Sequence, residues 1–192
     1  MPSGVLVLAS ASPRRAELLR AAGIPIDVIP ADVDERQHEG EEPDTYVCRL
    51  ATEKAARVAI AHPGRAVLGA DTTVVVNGEV LGKPRDQDDA VSMLGRLSGR
   101  SHQVLTGVCL IDAGGGAETA LATTTVEFRP LTPAEIAAYV ASGEPMDKAG
   151  AYAIQGLAGA FVTRIHGAYD NVVGLPVALI QAMCRARGIQ VS

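Results

Sequence analysis

Tryptophan is absent from the 192 residues, and phenylalanine and tyrosine together bring the aromatic share to only 3%. A core must therefore be built from Ala, Val, Leu and Ile, and the stacking platforms on which single-stranded nucleic acids are held are scarce. A basic excess is missing too. Seventeen Lys and Arg stand against 22 Asp and Glu, for a formal charge of −5, whereas binding of polyanionic DNA usually needs a basic patch or stripe. A small anion needs only a few local cations, so that ligand class stays open. Cys48, Cys109 and Cys184 are odd in number, widely spaced and form no CxxC, which supports neither a disulfide framework nor a thiolate metal site. His38, His62, His102 and His166 also lack ligand spacing. No apolar run approaches the roughly 20 residues that span a bilayer. Residues 1–4 lead into a strand-like segment without a basic n-region, so the expectation is a soluble, cytoplasmic protein with no membrane partner.

What is present reads as a globular α/β chain: 47% of residues are hydrophobic and 20% charged. Residues 5–9 form a continuous apolar run, the pattern of a strand covered on both faces. Ser12 and Pro13 then offer an N-cap and a first helical residue, and Gly23 a C′ position, which predicts a helix over residues 13–22. An acidic stretch with Asp32, Asp34 and Glu35 precedes a second helix at residues 44–61. There Val47, Leu50, Ala51, Ala55 and Val58 share one face, and Arg49, Glu53 and Arg57 make i,i+4 pairs on another. Residues 66–70 read as a buried strand ending at Asp71, and Asn77-Gly78 as the type I′ turn of a hairpin. A helix follows over residues 86–97, then a long hairpin of residues 104–112 and 119–129 around Gly114-Gly115-Gly116. Thr132-Pro133-Ala134-Glu135 is a capping box, residues 161–165 a short strand, and Pro176 opens a last helix to about residue 187. Strands and helices mix without strict βαβ alternation, which predicts an α/β fold with a mixed sheet; 192 residues allow one large domain or two small lobes sharing a core.

Ligands in α/β proteins gather just beyond buried elements, and four junctions there carry polar groups: residues 10–15, Asp71-Thr72, Lys83-Pro84 and residues 147–155. At the first, a helix N-terminus suits an anion. Arg14 and Arg15 stand beside it and gain nothing from the helix dipole, so a solvated face and phosphate binding weigh evenly. Lys54 lies four residues from both Leu50 and Val58, on the apolar side of its helix, and must snorkel out or meet an anion. With Lys83 and Lys148 these cations suggest a polyphosphate clamp. Cleavage would need a metal and a base as well, for which Asp71 is the first candidate and Glu35 the second.

Ser10-Ala11-Ser12-Pro13-Arg14-Arg15, Gly69-Ala70-Asp71-Thr72, Gly82-Lys83-Pro84 and Ser98-Gly99-Arg100-Ser101-His102-Gln103-Val104 resemble the motifs of Maf proteins in order and spacing. So do residues 143–152 running into Ile154-Gln155-Gly156, and Val173-Gly174-Leu175-Pro176. The resemblance covers essentially the whole chain. It implies a fold related to inosine triphosphate pyrophosphatases: an elongated mixed sheet flanked by helices, with two lobes and a nucleotide cleft between them. It also implies hydrolysis between the α- and β-phosphates with a divalent cation, Mg2+ or Mn2+. Matched by position, Asp71 is the expected proton acceptor, while Arg14, Thr72 and Gln155 tune nucleotide choice. Arg15, Lys54, Lys83 and Glu35 match further polar positions, with Glu35 and Asp71 as the expected metal ligands. The run from Asp147 to Gln155 looks like the dTTP/UTP subgroup. The expected partner is then a small-molecule nucleoside triphosphate and no nucleic acid, with a homodimer left open. A non-catalytic nucleotide-binding regulator of septum formation is the alternative from another class, and a nucleotidyltransferase is disfavoured because residues 10–15 contain no glycine.

Overall fold

The computed structural model describes residues 5–190; the lead-in at residues 1–4 lies outside them. Seven strands build one sheet: β1 (Leu6–Leu8), β2 (Ile26–Val28), β3 (Val67–Val76), β4 (Glu79–Leu81), β5 (Ser101–Ile111), β6 (Ala117–Phe128) and β7 (Val162–His166). Their order is β2-β1-β3-β5-β6-β7, with β4 paired to β3 off this path. β1 runs parallel to β2 and β3, whereas β3 with β4 and β6 with β7 are antiparallel. The sheet is therefore mixed, as the sequence predicts. Six α-helices accompany it: α1 (Pro13–Ala21), α2 (Pro43–Ala61), α3 (Gln87–Leu97), α4 (Pro133–Ala141), α5 (Tyr169–Val173) and α6 (Val177–Ala186). None of them is long and apolar enough to cross a membrane, among the described residues.

The chain divides into two compact units. One comprises the residues up to Asp71, residues 106–122 and those from Gly174 onward; the other comprises residues 72–105 and 123–173. In the first, β1 is buried on both faces. Leu6 and Leu8 pack with Ala16 and Leu19 of α1 and Ile180, Met183 and Cys184 of α6, while Val7 and Ala9 pack with Ala51, Ala55 and Val58 of α2. Period-two alternation sends successive side chains to opposite helical layers, which is why residues 5–9 read as an unbroken apolar run. In the second, Val74, Leu94, Val126, Phe128, Tyr139, Tyr152 and Phe161 belong to one apolar cluster, so most of the few aromatic rings in the chain are spent there.

Two glycines set how closely α2 approaches the sheet. A Cβ on Gly69 of β3 would overlap the Ala51 carbonyl and the Ala55 amide, and one on Gly107 of β5 would overlap the Val47 carbonyl. Forcing an extra methyl into such a contact costs about 1–3 kcal/mol. Bare backbone at these two points lets the helix lie against the strands, within reach of the residues that follow Gly69.

Local signals held where a specific dihedral or cap carried them. Asn77 and Gly78 both have positive φ, 51° and 80°, as a type I′ turn requires. Thr132 Oγ1 accepts from Glu135 N at 3.3 Å, and Glu135 Oε2 accepts from Thr132 N at 2.8 Å, closing the capping box. Three differences stand out. β3 does not end at Asp71 but runs on to Val76, because Asp71 and Thr73 are both buried and continue the strand through its polar residues. β2 is only three residues long, too short to show periodicity. The stretch between the capping-box helix and residue 161, where the sequence marks no element, contains three 3-10 turns, Glu144–Asp147, Ala149–Ala151 and Leu157–Phe161, and the short α5 comes after β7.

Candidate active site

The first unit concentrates charge around β3. Lys54 faces the sheet from α2 with its side chain only 8% exposed, and its Nζ meets two carboxylates: Asp71 Oδ1 at 2.7 Å and Glu35 Oε1 at 2.6 Å. Of the two outcomes left open for this lysine, the chain adopts the anion. Asp71 is almost as buried as Lys54, its side chain 12% exposed. Burial pushes its carboxyl pKa up; the charges of Lys54 and then Arg15 pull against that shift without cancelling it. A carboxylate so held is a stronger proton acceptor than an exposed aspartate.

Arg15 lies inside the unit. Its Nε donates to the Gly174 carbonyl at 2.9 Å, and its Nη1 to Ser10 Oγ at 3.0 Å and to the Ala70 carbonyl at 2.8 Å. Removal from water lowers its pKa, with the Asp71 charge opposing, yet a guanidinium stays cationic in proteins. Arg15 thus fixes a positive charge beside the backbone that leads into Asp71. Pro13 and Ser12 open α1 as the sequence predicts, but the Ser12 side chain makes no capping bond. Arg14 is half-buried at the second position of that helix.

The segment that carries Glu35 is strapped to α2. Tyr46 Oη donates to the Glu35 carbonyl at 2.8 Å, and Arg49 Nη2 to the Arg36 carbonyl at 3.1 Å. Arg49 also grips Glu41, through Nε to Oε1 at 2.6 Å and Nη2 to Oε2 at 2.8 Å. This pairing, with a bond from His38 N, holds the Glu41 carboxyl down at about 2. The Tyr46 phenol is pushed up to about 12 by burial and by the nearby charges of Asp71 and Glu35. Sequence reasoning saw Arg49 only as a partner of Glu53, a contact that exists at 3.3 Å, and missed its grip on residues 36–41. The available signal was Tyr46 and Arg49 three residues apart on one helical face, preceded by Glu41. Arg49→Met should raise amide hydrogen exchange over residues 36–41 by roughly fivefold per lost hydrogen bond, with a change in thermal midpoint of no more than about 4 °C. Unchanged exchange there would show that Arg49 does not hold the strap.

The remaining predicted residues belong to the second unit. Thr72 follows Asp71 within β3 and is half-buried. Lys83 is exposed in the turn after β4, and Gly82, its neighbour, accepts from Gly150 N at 3.0 Å, which ties that turn to the segment bearing Lys148. Gln155 is exposed at a turn between two of the 3-10 elements. The structure therefore brings Glu35, Lys54 and Asp71 into direct contact, with Arg15 bonded to Ala70 next to them, and describes Thr72, Lys83 and Gln155 in their own unit. Among the described residues, no group of three or more His, Cys, Asp and Glu forms a ready metal cage.

Comparison with known proteins adds three findings. Residues 5–187 match the family described as Maf-like protein. A protein of Anaeromyxobacter dehalogenans (strain 2CP-C), named dTTP/UTP pyrophosphatase, is 56% identical over 186 residues, covering 95% of this chain and 94% of its own. One of the same name from Symbiobacterium thermophilum is 57% identical over 172 residues, covering 90% and 88%. Among solved structures, the Ham1 protein of Staphylococcus aureus superposes with a TM-score of 0.53 at 16% identity, covering 95% of this chain and 98% of that one, a likeness of fold.

Proposed function

The chain belongs to the Maf-like protein family, and from that premise we propose that it hydrolyses dTTP and UTP to the monophosphate and pyrophosphate. The observation that carries the reading is the buried Lys54 joined to Glu35 and Asp71, a base and a cation held together next to the Ala70 carbonyl that Arg15 binds. The names of the relatives supply the nucleotides.

In this mechanism Asp71 takes a proton from water as the water oxygen bonds to the α-phosphorus. The bond from that phosphorus to the bridging oxygen breaks, and pyrophosphate leaves. Lys54 anchors one Asp71 oxygen, leaving the other to accept the proton, and Arg15 adds a fixed positive charge next to it. Arg14 and Lys83 are assigned to the phosphates by their charge. Thr72, Gln155 and again Arg14 are assigned to nucleotide choice by the matched motifs. Glu35 and Asp71 offer hard carboxylate oxygens that already converge on one cation, and two carboxylates plus substrate phosphates are an ordinary donor set for Mg2+. They fit a divalent ion, which would neutralise charge developing on the phosphates.

With dTTP and a divalent cation, equal amounts of dTMP and pyrophosphate should accumulate, and a chelator should stop the reaction. Orthophosphate and dTDP as main products would overturn the reading, and binding of dTTP without turnover would favour a nucleotide-binding regulator. The pH profile offers a second check. Protonated Asp71 cannot accept a proton, so kcat/KM should fall on the acid side, and Asp71→Asn should remove that limb. An acid limb that persists unchanged in the variant would contradict the assignment of Asp71 as base.

A further inference from the structure

The turn that presents Gln155 is framed by hydrogen bonds that the cleavage chemistry does not use, all of them inside the second unit. Ala153 N donates to Tyr139 Oη at 3.2 Å, and Tyr139 Oη donates to Glu144 Oε1 at 2.8 Å. The other oxygen, Glu144 Oε2, accepts from Leu157 N at 3.1 Å. One carboxylate thereby joins both sides of the turn, at residues 153 and 157, with Gln155 between them. Gly156 N donates to the Ala153 carbonyl at 3.1 Å and closes the turn across its base. Gly156 also lies hard against the frame, for a Cβ there would overlap the Glu144 carboxylate.

The frame is itself anchored in the core. Tyr139 is 4% exposed and packs edge-on to Phe161 at 5.3 Å between ring centroids. Next to Ala153, the Tyr152 hydroxyl meets His102 Nε2 at 2.7 Å, and both rings pack edge-on to Phe128. Burial raises the Tyr139 phenol well above its ordinary value, so it remains a donor to Glu144 across the neutral range. Gln155 is exposed and takes no part in these bonds.

We propose that Tyr139 and Glu144 are positioning residues for base selection, fixing the backbone on either side of Gln155 so that its amide meets the base in one orientation. The inference rests on the reading that Gln155 reads the base. Thymine and uracil present an N3–H donor beside the O4 acceptor, and cytosine presents the reverse. A glutamine amide carries one acceptor and two donors and turns about its terminal bond, so in yielding surroundings it can satisfy either pattern. Held at both flanks, the side chain reaches the base through few rotamers and its amide meets surroundings that the frame keeps fixed, so its two orientations differ in energy and one base pattern is favoured.

The test compares kcat/KM for dTTP, UTP and CTP in Tyr139→Phe, Glu144→Ala, Gln155→Ala and the Tyr139→Phe/Gln155→Ala double variant, with thermal midpoints measured alongside. Tyr139→Phe keeps the ring in the core and removes the hydroxyl that links Ala153 to Glu144. The dTTP-to-CTP ratio should fall about five- to tenfold in Tyr139→Phe, the scale of one neutral hydrogen bond, and in the same direction in Glu144→Ala. The double variant should show the ratio of Gln155→Ala alone, because both changes act through one amide. If Gln155→Ala lowers the ratio and Tyr139→Phe and Glu144→Ala leave it intact, the frame does not position the reader. If Gln155→Ala leaves it intact, base reading by Gln155 fails and the frame proposal falls with it. An equal loss for every nucleotide in Tyr139→Phe means that the frame serves folding alone.

Discussion

Asp71→Asn should lower dTTP turnover by roughly 10²-fold or more, the scale of losing a general base, while the fold survives. Asparagine keeps the size of the side chain, and its carbonyl oxygen can still accept from Lys54 Nζ, 2.7 Å from Asp71 Oδ1 in the native chain. The thermodynamic sign separates this loss from simple unfolding. Burial raises the Asp71 pKa in the folded protein, so the ionised carboxylate is the form that folding disfavours. Its contribution to stability is most favourable below the unfolded value and is lost as pH rises through the folded one. Near neutral pH, removing the charge therefore relieves a cost, and the thermal midpoint should fall by no more than about 4 °C. The acid limb of kcat/KM should vanish with the carboxylate. Wild-type turnover in the purified variant would refute the assignment, and a collapse of the midpoint would make Asp71 a structural residue first.

How this site was legible differs residue by residue. The apolar stripe of α2 was readable from spacing, and so was the anomaly of Lys54 within it; the outcome was not. Its partner Asp71 lies 17 residues on, in a strand, and Glu35 sits in a stretch without periodicity. Local sequence says that a cation is in an apolar place and nothing about which anion reaches it. Gly69 was quoted only as part of a string, although its missing Cβ lets the backbone of α2 approach β3 two residues before Asp71. Arg15 carried the weakest local signal. Two adjacent arginines at a helix start leave a solvated face and phosphate binding evenly weighed, and the carbonyl that holds Arg15 Nε belongs to Gly174, 159 residues away.

The fold shows the same division. Elements marked by a cap, a type I′ turn or strong burial were found close to their true ends, because those signals act within a few residues. β3 was cut short because Asp71, Thr72 and Thr73 interrupt its apolar run, yet two of these three are buried and the strand continues through them. β2 escaped notice because it has three residues between Pro25 and Pro30 and gains its order from pairing with β1. The frame around Gln155 was invisible for the reason that hid the partners of Lys54: Tyr139, Glu144 and Leu157 come from three elements, and only folding brings them together.

Lys54→Met should be the most destabilising of the single changes at the site. Methionine fills similar space in the α2 stripe, so packing is largely kept, but Asp71 loses the cation at 2.7 Å and Glu35 the one at 2.6 Å. Breaking a buried pair by deleting one partner costs about 3–5 kcal/mol, because the surviving charge remains out of water. For a chain of this size that corresponds to a fall in thermal midpoint of roughly 6–20 °C. Glu35, about half exposed, can rehydrate; Asp71 cannot, so most of the cost falls on Asp71. Without the opposing Lys54 charge its raised pKa rises further, and the variant should approach wild-type stability at low pH, with the gap opening as pH rises through the wild-type folded value and complete above the variant's higher one. Turnover of dTTP should drop as well, since a protonated Asp71 accepts nothing. Adding Asp71→Asn to Lys54→Met should recover much of the lost stability and none of the turnover, a coupling that two independent sites would not show. If the double variant is instead less stable than Lys54→Met by the full cost of Asp71→Asn, the two side chains do not depend on each other, and the buried pair is not what organises the site.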